Sequence, residues 1–157
     1  MKLFFFPDYT ETNPYQNKLY SENPKSIKVL PGSIDEALAE IWRKKETAFH
    51  LHWPNVITAN TENSYEFRLA IISFLKKIDV FIRLGGKFLW TVHNLLPHGT
   101  KYPDIDKWFH QEISDRAHFV LIHESGQLEV LRSEYGISEH KVRIIHHGNY
   151  IDSYTNT

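Results

Sequence analysis

The chain has 157 residues, 41% of them hydrophobic and 24% charged, with a formal net charge of -1. That length suits one domain around one hydrophobic core, and the composition is that of an ordinary globular protein rather than a disordered or fibrous one. The near-zero charge gives no general attraction to nucleic acid. The absence of cysteine removes disulfides, thiolate metal sites and cysteine nucleophiles, in keeping with a cytoplasmic location.

The apolar start, Met1 to Phe6, is cut short by Pro7 and Asp8, which makes it too brief for a signal peptide and predicts a buried first strand. Further strands are predicted at 26–30, 48–53, 87–93, 118–123 and 141–146, several of them continuously apolar, as strands covered on both faces usually are. Between them lie helix-like segments. At 34–45, Ile34, Ala37, Leu38 and Ile41 share one face, and Ser33 with Glu36 forms a capping box. A long helix opens at Asn63 with Glu66 and runs to about Leu84, where Gly85 and Gly86 stop it; Leu69, Ile72, Leu75 and Ile78 mark its expected buried stripe. Arg68, Lys76, Lys77, Asp79 and Arg83 within the same stretch make it unfit to span a bilayer. Two more helices are expected at 104–117 and 125–135. The alternation predicts an α/β fold, a Rossmann-like three-layer parallel sheet flanked by helices, occupying residues 1–149.

In open parallel sheets ligands bind at the carboxyl ends of the strands. Those positions are unusually polar and aromatic here: Asp8, Tyr9, Asn13 and Tyr15 after the first strand, His52 and Trp53 after the third, His93, Asn94 and His98 after the fourth, His123 and Glu124 after the fifth, and His146 and His147 after the last. His and Asn each donate and accept hydrogen bonds, which suits hydroxyl recognition. His93 stands out because a rigid apolar strand delivers it into the crevice. Tyr15, Tyr20, Trp53 and Tyr102 offer flat faces for a sugar ring or a lipid.

His50 and His52, two apart on a strand, point to the same face and invite a metal reading. The barrel hydrolases that use such a pair need about 250 residues to close, so His50 is read as buried structure, His52 as the site candidate, and no metal is expected. Neither a G-x-G-x-x-G nor a GxxxxGK[ST] phosphate cradle occurs, and there is no G-x-S-x-G nucleophile elbow.

Taken in order, FPDY at 6–9, NPY at 13–15, FHLHWP at 49–54, WTVHNLLPH at 90–98 and IIHHGNY at 144–150 resemble the N-terminal half of bacterial family 4 glycosyltransferases, in particular those that build exopolysaccharides. The resemblance implies a GT-B enzyme, in which this half holds a saccharide or lipid-linked acceptor and a C-terminal domain or subunit holds the nucleotide sugar. It implies that His93 lies at the reacting centre as the catalytic residue, that His123 or Glu124 faces the cleft, and that the aromatic loop after the first strand binds the acceptor. It also implies no cofactor bound by this chain alone, no metal in the transfer step, and an interdomain linker or tail beginning at 150–157. The helix with Lys76, Lys77 and Arg83 beside Phe81 and Ile82 is the expected point of any peripheral contact with a membrane's inner face. The alternatives are a non-catalytic Rossmann-like binding or interaction module and, behind it, a histidine-metal hydrolase.

Overall fold

The computed structural model describes residues 1–94 and 100–147. Six strands, β1 (Lys2–Phe6), β2 (Lys28–Pro31), β3 (Thr47–Leu51), β4 (Lys87–Thr91), β5 (Phe119–Ile122) and β6 (Val142–Ile144), form one sheet in the order β2-β1-β3-β4-β5-β6. Every pairing is parallel. The chain turns back on itself between β1 and β3, and such a reversal of strand order opens a crevice at the carboxyl ends of the two strands. The architecture is α/β and Rossmann-like.

The two faces of the sheet differ in chemistry because successive side chains alternate. Phe4, Phe49, Leu51, Phe88, Trp90, Val120 and Ile122 enter the main core, where Phe49 meets Phe74 and Phe81 from the long helix. Helices α2 (Ile34–Trp42), α3 (Ser64–Arg83), α4 (Pro103–Arg116) and α5 (Gln127–Tyr135) pack side by side against it. Phe5 and His50 point the other way and meet Tyr20 of α1 (Pro14–Tyr20), the first ring stacked on it at 4.8 Å.

Local signals set the helix ends as the sequence suggests. Ser33 and Glu36 form the reciprocal capping box of α2, and the Asn63 side chain accepts from the backbone N–H groups of Tyr65 and Glu66 at the start of α3. Gly85 and Gly136 take positive φ just past α3 and α5, where L side chains are strained. Predicted strands β3 and β4 end two residues early, so that His52 and His93 sit just beyond them. Backbone pairing continues through His52 N–H to the Phe6 carbonyl and Val92 N–H to the Leu121 carbonyl.

Two expectations need correction. The segment after β1 is a helix, α1, in which Asn13 is the N-cap and Pro14 stands in the first turn, so Tyr15 is held by a helix and not by a loop. The buried stripe of α3 includes Leu75 and Ile78 as expected but is otherwise displaced: Leu69 and Ile72 are 46% and 38% exposed, whereas Phe67, Ile71, Phe74 and Phe81 are buried. Phe67, Phe74 and Phe81 recur every two turns and bury more apolar area than the aliphatic alternative, which fixes the rotation of the helix. Phe81 is therefore core, and Lys77 pairs with Asp35 at 2.7 Å, so neither belongs to an open basic patch.

Truncating Phe81 to alanine is expected to cost about 3–5 kcal/mol, whereas Leu69→Ala should stay within about 0.5 kcal/mol. Urea unfolding of both variants checks the rotation of α3, and equal losses would contradict it.

Candidate functional site

At the carboxyl edge of β1, β3, β4 and β5 the structure gathers His52, Trp53, His93 and His123 around Tyr15. The Tyr15 ring meets those of His52, His93 and His123 edge-on at 5.7, 4.8 and 5.2 Å. Trp53 stacks on His93 with ring centroids 4.1 Å apart and planes 14° from parallel. His147, from the segment after β6, lies 3.9 Å from His123, centroid to centroid. The first turn of α1 thus works as a peg that closes the histidine cluster from the side opposite the main core.

The rings are tied by hydrogen bonds as well. His52 Nδ1 lies 3.1 Å from His93 Nε2, Tyr20 Oη lies 2.7 Å from both His52 Nε2 and His50 Nδ1, and His50 Nε2 lies 2.7 Å from Thr91 Oγ1. His123 Nδ1 donates to the Ile145 carbonyl at 2.8 Å, while its Nε2 is buried without a hydrogen-bond partner among the described residues. His50 therefore fits the structural reading given to it, yet it is wired to the site.

Other candidates take different parts. Asp8 is exposed, and its carboxylate accepts from the N–H and hydroxyl of Thr10; Asn13 serves as the cap of α1. Tyr9 rests against Trp53 at 5.0 Å, and its N–H donates to Gln16 Oε1. Glu124 and Asn94 are exposed at the rim. His98 lies outside the described residues. Gln16 was not anticipated: fully buried, it donates to the Pro7 carbonyl and accepts from Tyr9, fastening the turn after β1 to α1. An amide three residues past an N-cap gives no hint of this from sequence.

Beside the cluster, between β4, α4 and the short 3-10 turn Pro54–Ile57, opens a cavity of about 400 Å³ bordered by His52, Trp53, His93, Asn94, Thr58, Trp90, Asp106 and His110. Its size lies in the range of small-molecule sites. Asp106 and His110 lie inside a predicted helix and Trp90 inside a predicted strand, where no local pattern marks them as bordering a cavity. Trp90 Nε1 is buried and has no partner among the described residues. Lys101 is the one lysine or arginine bordering the cavity among the described residues.

Burial keeps these imidazoles neutral. Desolvation lowers His50 to about 3, and it lowers His93 to about 3, with smaller contributions from the neighbouring histidines. His52 is pushed down further by the same causes. At neutral pH His93 is therefore an uncharged imidazole able to accept or donate a hydrogen bond, and a poor fixed cation. Among the described residues no three histidine, aspartate or glutamate side chains are arranged to hold a metal ion. No family model, curated protein or solved structure matches the chain.

Because their folded-state values lie below the ordinary 6.5, these histidines contribute stability that is complete above pH 6.5 and is lost as the pH falls toward about 3. Each fully buried ring removes roughly 1.4 kcal/mol per pH unit within that window. Denaturant titrations should show stability falling steeply between pH 6.5 and 5, and a flat profile would contradict the neutral cluster.

Proposed function

We propose that the chain is the acceptor-binding half of a glycosyltransferase of GT-B architecture, which moves a sugar from a nucleotide-sugar donor to a saccharide or lipid-linked acceptor. The observation that carries this reading is the neutral His93, set against the Trp53 face at the carboxyl edge of the sheet and beside a cavity rich in hydrogen-bonding groups. Hydroxyl groups are recognised by paired donors and acceptors, and Thr58, Asn94 and His93 supply both at the cavity. In this reading His93 hydrogen-bonds the acceptor hydroxyl or orients the donor sugar, and its lowered pKa favours orientation over taking the hydroxyl proton.

Departure of a nucleoside diphosphate requires stabilisation of its developing charge. With Lys101 the one lysine or arginine at the cavity among the described residues, that task falls in this reading to a second, donor-binding domain or subunit, and the chain alone should bind a nucleotide sugar weakly. The blocks running from Phe6 to Tyr9, from Phe49 to Pro54 and around His93 support the family 4 exopolysaccharide assignment by resemblance. Reconstitution with such a donor-binding half tests the reading: His93→Ala should lower turnover by about 10²–10⁴-fold, and unchanged turnover would remove His93 from the site.

A further part of the proposal, peripheral contact with a membrane, draws on the outer face of α3. No helix of the described residues is long and apolar enough to cross a membrane. Tyr65, Leu69, Ile72 and Val80 nevertheless share one exposed stripe, with Arg68, Lys76 and Arg83 beside it, a pattern suited to peripheral contact with an anionic bilayer. Sedimentation with anionic vesicles is expected to be lost in a Leu69→Asp, Ile72→Asp variant; absence of binding by the parent chain would sink this part.

A further inference from the structure

Tyr20 bridges the two histidines of β3, and its single proton imposes a rule on both. With Oη 2.7 Å from His50 Nδ1 and 2.7 Å from His52 Nε2, the phenol can donate to only one ring, and pairing every buried polar group requires it to accept from the other. A neutral imidazole carries one N–H and one lone pair. If Tyr20 donates to His50 Nδ1, then His50 holds its proton on Nε2 and donates it to Thr91 Oγ1. Tyr20 then accepts from His52 Nε2–H, which leaves His52 Nδ1 as a lone pair, and His93 must supply the proton from Nε2. If Tyr20 donates to His52 instead, every bond reverses and all three histidines carry their proton on Nδ1.

We propose that Tyr20 locks His50, His52 and His93 into one common tautomer, so that a phenol two hydrogen bonds away sets which ring nitrogen of His93 carries its proton. In the first arrangement His93 Nδ1 keeps a lone pair and is a hydrogen-bond acceptor; in the second it carries an N–H and is a donor. Tyr20 is thus a positioning residue. Its α1 helix, seven residues long, fixes the proton pattern of two strands to which it does not belong. Burial supports the rule in two ways: it keeps the rings uncharged, and it penalises any ring nitrogen left without a partner.

The test is long-range ¹H–¹⁵N correlation spectroscopy of the imidazoles in the histidine-labelled chain at pH 7.5. The parent protein should show the same nitrogen protonated in His50, His52 and His93. In Tyr20→Phe the bridge is gone, and a buried N–H without an acceptor is worse than a bare lone pair. His50 should then sit in the Nε2–H form while His52 and His93 sit in the Nδ1–H form. Mixed tautomers in the parent, or a common tautomer in a folded Tyr20→Phe, would overturn the proposal; if that variant does not fold, the parent spectrum alone decides.

Discussion

Placing histidines on the inner strands of a parallel sheet makes partners for their ring nitrogens a strong demand, because an unsatisfied buried nitrogen costs about one or more kcal/mol. Much of this molecule follows from how that demand is met. Tyr20 supplies one hydroxyl to two rings, Thr91 supplies another, and the Ile145 carbonyl receives His123. These partners come from α1, from a neighbouring strand and from the segment after β6. The polar layer therefore stitches together parts of the chain that hydrocarbon packing alone would leave loosely related.

The sheet consequently has two unlike sides. On one, phenylalanines of β1, β3 and β4 meet the phenylalanines of α3 in a dry core. On the other, α1 covers a hydrogen-bonded array of imidazole and phenol. The reversal of strand order between β1 and β3 places the end of that array at the crevice, where Trp53 stacks on His93. A scaffold of this kind holds an aromatic ring and an imidazole in fixed register without charge, an arrangement suited to a ligand of many hydroxyls.

Much of the fold was legible because it is written locally. The apolar runs at Phe4 to Phe6 and Phe119 to Ile122 announce covered strands, and the Ser33 and Glu36 box needs only its own four residues. The same locality explains the errors. Leu69 and Ile72 satisfy a three-and-four spacing as well as Ile71 and Phe74 do, and only the sheet beneath decides between them. α1 is short and carries Gln16, Asn17 and Lys18, so no apolar rhythm marks it, although Asn13 and Pro14 spell a helix start. At the site, the positions of His52, His93 and His123 followed from strand ends. The link from Tyr20 to His50 joins residues thirty apart and has no local signature.

The silent imidazoles also alter how the folded chain meets its solvent. Composition puts the isoelectric point near 6.8, a figure that counts all ten histidines as ordinary bases. Six of them are held below their usual value in the fold. Between pH 5 and 7 the native molecule therefore carries less positive charge than its unfolded chain. It reaches electrical neutrality at a lower pH than its amino-acid content suggests, and in mildly acidic solution folded and unfolded molecules migrate differently in an electric field.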